Sequence, residues 1–153
     1  MKLMDFLNKD AVTTDIKSTK KEDVIRELVD ILSKTNPIKE KEKLIKTLMD
    51  REALGSTGIG QGIGIPHAKS SSVNELTAAL GISNKGVDFD SLDGEPTHIF
   101  FLLVAPEDAA GPHLKALARI SRMLKDKFLR DSLISAKDKK TALDVIISED
   151  RKV

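Results

Sequence analysis

The run His98–Val104, HIFFLLV, constrains this chain more than any other feature. Six consecutive apolar residues leave no face for water, so a strand built from them must be covered on both sides. Cover exists before and after it in the sequence. Val24, Ile25, Leu28, Val29, Ile31 and Leu32 recur at helical spacing with Lys, Glu and Asp between them, which makes one broad apolar helix face. Thr19 is its expected N-cap, with Glu22 three residues on to close a capping box. Asn36 and Pro37 read as the cap and first residue of a second helix. Leu44, Ile45, Leu48 and Met49 form its buried stripe, and Gly55 stops it near Leu54 as a left-handed C′ residue. Behind the apolar run, Leu114, Leu117, Ile120 and Leu124 give a third helical stripe, and shorter helices are expected over Asp126–Ser135 and Asp138–Ser148.

Between these helical blocks the period changes. Ile59, Ile63 and Ile65 alternate with glycine or polar residues, the pattern of short strands whose backbone approaches something closely. Leu76–Ile82 is a second strand, and a short one at Val87, Asp88 and Phe89 sits among turn residues. Helices first, strands in the middle and helices again define the expected fold: an α/β single-domain sandwich, residues 1–153, with a mixed β-sheet covered by helices. The run KEKEK at 39–43 reads as a solvated helix face.

Composition removes whole classes of function. The 25 basic and 24 acidic side chains leave a net charge of +1, without the basic field of a duplex binder, and the absence of Tyr and Trp leaves few stacking platforms for single strands, so no nucleic-acid partner is expected. Zero cysteines exclude disulfides, thiolate metal sites and a cysteine nucleophile. Three histidines without a His-x-x-x-His pair argue against a metal centre. Asp and Lys interrupt the N-terminal apolar residues, and no later stretch reaches ~18 apolar residues, so membrane insertion is not expected and a cytoplasmic location is.

What chemistry remains centres on GSTGIGQGIGIPH, residues 55–67, with five glycines in thirteen positions. Glycines let successive amides converge on an oxyanion, and Ile-Pro delivers His67 on a rigid turn at the end. The segment lacks the Gly-Lys-Ser/Thr of a nucleotide-binding loop and the Gly-x-Gly-x-x-Gly of a dinucleotide fold. Ser56, Thr57 and Gly62 are its phosphate-binding candidates. His113, just behind Gly111 and Pro112, opens the third helix, where the helix dipole favours a neutral imidazole and an adjacent anion. Arg51 supplies a planar cation just before the segment. His98 enters the apolar run and reads as structural. Asp50, Glu52, Glu107 and Asp108 show no spacing of a catalytic carboxylate pair.

These residues converge on a family. REALGSTGIGQGIGIPHAK, Arg51 to Lys69, resembles the phosphorylation-site signature of the fructose- and mannitol-type enzyme IIA domains of the bacterial phosphoenolpyruvate-dependent sugar phosphotransferase system. DGEPTHIFFLLVAPEDAAGPHLKALARIS resembles that family's later strand, loop and histidine-bearing helix, and Gly64 departs from the alanine usual before Ile-Pro-His. The resemblance implies that His67 carries the phosphoryl group, with His113 and Arg51 beside it. It implies the phosphocarrier protein HPr as donor, an enzyme IIB component as acceptor, and no cofactor. It also embraces nitrogen-type regulators that act on partners according to phosphorylation state; a chain of this length, with no fused IIB or membrane segment in it, fits either role. Ile59, Ile63 and Ala109 are the expected apolar surroundings of His67 at the docking face.

Overall fold

The apolar run forms the centre of a strand, Thr97–Ala105, that hydrogen-bonds along both edges in the computed structural model, which describes residues 1–152. In chain order the elements are β1 (Leu7–Thr13), α1 (Lys21–Ser33), α2 (Lys41–Ala53), β2 (Gly58–Gly60), β3 (Ile63–Gly64), β4 (His67–Lys69), β5 (Thr77–Val87), β6 (Thr97–Ala105), α3 (Ala110–Met123), α4 (Lys127–Ile134) and α5 (Lys139–Lys152). A 3-10 turn, Leu3–Asp5, precedes β1. The sheet runs β1-β5-β6-β3-β2, with β4 also on β6. β5 pairs antiparallel with β6, whereas β1 lies parallel to β5, and β3 and β4 lie parallel to β6, so the sheet is mixed as expected. Helices α1 and α2 pack together on one side; α3, α4 and α5 cover the other. Ile99, Phe100, Leu102, Leu103 and Val104 are fully buried, the double cover that the run demanded. At Gly81 of β5 a Cβ would stand 2.7 Å from Ile16 and 2.9 Å from Leu28, so the absence of a side chain lets α1 close onto the sheet.

Several boundaries differ from the sequence pattern, each for a tertiary reason. β1 has no clean alternation because its pairing with β5 shifts register between Leu7 and Val12, leaving Asn8, Lys9 and Asp10 exposed in succession. The capping box at Thr19 and Glu22 does not form; Lys20 occupies the cap position. Glu27, farther along α1, instead accepts from the Lys17 amide at 3.1 Å, the Ser18 amide at 3.1 Å and the Ser18 hydroxyl at 2.7 Å. α2 begins at Lys41 rather than at Pro37, because Glu40 adopts a left-handed conformation, φ 50°, and the Lys39 amide is drawn to the Ser72 carbonyl at 2.9 Å. The KEKEK run thus straddles the helix start. β5 continues without interruption to Val87, absorbing the start of the short strand expected at 87–89, while Phe89 is buried edge-on against Phe100 with ring centroids 5.1 Å apart. α5 extends to Lys152, past the expected end at Ser148.

That extension brings Asp150 into a buried clasp. Its carboxylate accepts from the amides of Leu3 at 2.8 Å and Met4 at 3.2 Å, and from Arg119 of α3 at 2.6 Å and 2.9 Å, joining both ends of the chain to the third helix. Burial works against its charge, but the Leu3 amide, Arg119 and the Met4 amide outweigh it and hold the carboxyl below the usual Asp value. A group with a depressed folded-state pKa stabilises the fold above its unfolded value, and that contribution disappears as pH falls through the folded one. Asp150→Ala is therefore expected to lose about 3 kcal/mol at pH 7, the scale of breaking a buried charged pair, and the gap to the unsubstituted protein should narrow below about pH 4. Urea unfolding at pH 7 and at pH 3 measures both; an equal gap at the two values would contradict the assignment.

Candidate functional site

Pro66 divides one long run parallel to β6 into β3 and β4. Ile63 and Gly64 pair with Ile99 and Phe100, and His67, Ala68 and Lys69 pair with Leu103, Val104 and Ala105, so the register is continuous across the proline. Proline has no amide to donate, yet its carbonyl accepts from Leu103 at 3.0 Å, and the ladder continues. His67 therefore begins an edge strand, half-buried, with its backbone fixed. Its Nδ1 lies 2.7 Å from the Ile65 carbonyl. A carbonyl only accepts, so Nδ1 must carry the proton and the lone pair resides on Nε2.

His113 meets it from α3. The two imidazole centroids lie 5.5 Å apart, with the rings tilted by 49°. The helix begins at Ala110, and the His113 amide already bonds to the Ala109 carbonyl at 3.1 Å, which places the residue at the end of the first turn rather than among its free amides. The side chain is 8% exposed, and Nε2 is buried without a hydrogen-bond partner. Burial, with the charges of His67 and Lys69, depresses the His113 pKa below the ordinary histidine value, so the ring is neutral at pH 7.

The other candidates are placed differently. In the last turn of α2, Arg51 donates from Nη1 to the Gly55 carbonyl at 2.8 Å. The glycine segment forms a hairpin. β2 and β3 are joined by Gln61 and Gly62, with φ 58° and 79°, and positive φ at both central residues is what a tight two-residue turn between twisted strands requires. The Gly62 carbonyl accepts from the His98 and Ile99 amides at 2.9 Å, four residues along β6 from the partner of His67, or about 13 Å away at ~3.3 Å per residue. Ser56 donates its hydroxyl to the Phe89 carbonyl at 2.7 Å and accepts from the Gly58 amide at 2.9 Å. Thr57 gives its hydroxyl to buried Glu52, which also accepts from the Thr57 amide at 3.1 Å and pairs with Lys21 at 3.0 Å. Ser56, Thr57 and Gly62 thus take part in the hairpin and its anchorage. Of the apolar surroundings expected for His67, Ile63 is buried and Ile59 lies on the distant hairpin, whereas Leu114, next to His113, is 67% exposed. His98 bonds through Nδ1 to the Ser83 carbonyl at 2.8 Å, in keeping with a structural role. Two residues beyond His67, Lys69 was not singled out; the strand period alone places it on the same face.

Among the described residues, no helix is long and apolar enough to cross a membrane, and no cluster of His, Asp or Glu could hold a metal ion.

The chain belongs to the class of phosphotransferase-system IIA proteins. Residues 5–149 match the family Phosphoenolpyruvate-dependent sugar phosphotransferase system, EIIA 2. Among relatives, the PTS system fructose-specific EIIABC component of Bacillus subtilis (strain 168) is 39% identical over 99% of this chain, which spans only 24% of that protein's length. The PTS system fructose-specific EIIA component of Haloferax volcanii is 35% identical over 82% of both chains. The nitrogen regulatory protein of Bradyrhizobium diazoefficiens is 32% identical over 95% of both. Among solved structures, the nitrogen regulatory protein IIA-Ntr of Neisseria meningitidis superposes with a TM-score of 0.84 at 29% identity, covering 93% of this chain and 97% of its own.

Proposed function

We propose that the chain is a phosphocarrier that receives a phosphoryl group from phospho-HPr on Nε2 of His67 and passes it to an enzyme IIB component in sugar uptake. The observation that carries this reading is the His67 hydrogen bond to the Ile65 carbonyl, which fixes the tautomer and leaves Nε2 as nucleophile beside the partnerless Nε2 of His113. In the transfer, the His67 lone pair forms the new N–P bond as the donor's N–P bond breaks, and the bonding pair leaves with the donor imidazole. The proton stays on Nδ1, hydrogen-bonded to the Ile65 carbonyl throughout, so no base is required. A phosphoryl oxygen would accept from His113 and satisfy a buried group that otherwise lacks a partner. Arg51 enters this scheme if its guanidinium turns from the Gly55 carbonyl to the phosphoryl group.

Incubation with enzyme I, HPr and phosphoenolpyruvate should produce an acid-labile, base-stable mass increase on His67; no increase would refute the reading. Relatives named nitrogen regulatory protein match nearly the full chain, which supports a second use of the same phosphohistidine, in which partners are bound according to phosphorylation state. Chemical-shift mapping separates the two. A carrier must present His67 to donor and acceptor in turn, so HPr and a IIB component should perturb overlapping residues around His67, His113 and exposed Leu114, over a contact below about 1,200 Å². A partner that leaves both histidines unperturbed would favour the regulatory reading.

A further inference from the structure

Phosphorylating His67 places about two negative charges on an edge strand, and Arg51 need not be the sole cation that meets them. Arg51 is engaged with a carbonyl at the end of α2. Lys21, which reaches the hairpin anchor, is committed to Glu52 and lies over the Phe89 ring, 4.8 Å from its centroid. Lys69 differs from both. It follows His67 by two residues on β4, so the pleat puts both side chains on the same face, about 7 Å apart at their origins. Its side chain is exposed and, among the described residues, its ammonium has no carboxylate partner. A four-carbon stem spans that separation with rotatable donors at its end. Its charge also helps to lower the pKa of His113, the other imidazole of the pair, whose ring centroid lies 5.5 Å from that of His67.

We propose that Lys69 is a catalytic residue of phosphoryl transfer: its ammonium pairs with the phosphoryl oxygens on His67 Nε2 and neutralises their charge as the group arrives and leaves. The inference rests on His67 being the acceptor. It assigns Lys69 and His113 complementary tasks, one exposed and charged, the other buried and neutral. Because Lys69 is solvated, its contribution is screened by salt, unlike that of the buried donor. An exposed lysine on an edge strand also discourages pairing with other chains, but that role would leave transfer rates unchanged.

The test is rapid-quench labelling at saturating phospho-HPr of the unsubstituted protein and of Lys69→Ala, Lys69→Arg and Lys69→Glu. The expected result is a maximal rate about tenfold lower for Lys69→Ala, lower still for Lys69→Glu and restored to within about twofold by Lys69→Arg, with the difference shrinking as ionic strength rises. In unphosphorylated Lys69→Ala, the NMR titration midpoint of His113 should also move up, since a repelling positive charge has gone. Unchanged maximal rates in all variants would overturn the proposal. So would a change confined to the half-saturating concentration of phospho-HPr, which would make Lys69 a docking residue. If the unsubstituted protein takes no label on His67, the phosphocarrier reading and this one fall together; if it does and the variants match it, only this one falls.

Discussion

His67→Ala is expected to take up no phosphoryl group from phospho-HPr, while its circular dichroism and unfolding midpoint stay close to those of the unsubstituted protein. The expectation follows from where the side chain lies. His67 is half-buried at the start of an edge strand held by backbone pairing to Leu103, so the imidazole contributes to the fold mainly through one bond to the Ile65 carbonyl. Losing a partly solvated hydrogen bond costs about 1 kcal/mol, far less than the stability of a domain this size. The chemical loss is total, because neither remaining histidine can substitute. His113 is 8% exposed, and its buried Nε2 is placed to hydrogen-bond an oxygen of a group held on His67 rather than open to in-line attack on a donor's phosphorus, and His98 is bonded to the Ser83 carbonyl on the other side of β6 from β3, toward β5. His67→Gln is an informative companion, since its side chain keeps polarity and comparable bulk without a nucleophilic nitrogen. Intact-mass spectrometry after exposure to enzyme I, HPr and phosphoenolpyruvate reads the outcome. Labelling of His67→Ala to the extent of the unsubstituted protein would displace the acceptor to another residue.

The histidine pair was legible in the sequence because two local signals survive folding unchanged: Ile-Pro ahead of one histidine, and Gly-Pro opening a helix ahead of the other. The doubly covered strand was legible for the same reason, since burial on both faces shows directly as an unbroken apolar run. The glycine segment was ambiguous because the same composition serves two physical ends. Glycine permits amides to converge on an anion, and it permits positive φ in a tight turn; the choice between them depends on which strand Gly62 and Gly64 pair with, a long-range fact. β1 escaped notice because a register shift destroys alternation. Lys69 was passed over because its importance lies in direction, which appears only once residues 67–69 are known to be a strand. The Asp150 clasp joins residues 147 positions apart, and local pattern has nothing to say about such a contact.

His113→Ala should slow phosphoryl transfer by about 10² to 10³ without unfolding the protein, the scale of removing one preorganised donor from a transition state. A buried imidazole with a partnerless Nε2 is the sort of group that an arriving oxyanion satisfies without prior reorganisation. Its titration gives an independent check. In the free protein burial comes first among the causes that lower its pKa, followed by the charges of His67 and Lys69, so its midpoint should fall below the ordinary histidine value. Phosphorylation of His67 replaces a neighbouring ring that can become positive with a group that is negative, and an adjacent anion favours the protonated form. The midpoint should therefore rise in the phosphorylated protein. This shift also separates donation from packing: a ring that merely filled space beside His67 would show little response to the phosphoryl charge. Nitrogen-15 NMR of the imidazoles before and after phosphorylation follows both midpoints, and His113→Gln, which keeps an N–H donor, should recover part of the lost rate. A wild-type transfer rate in His113→Ala, together with an unmoved His113 midpoint, would reduce the residue to a packing role and leave Lys69 as the principal partner of the phosphoryl group.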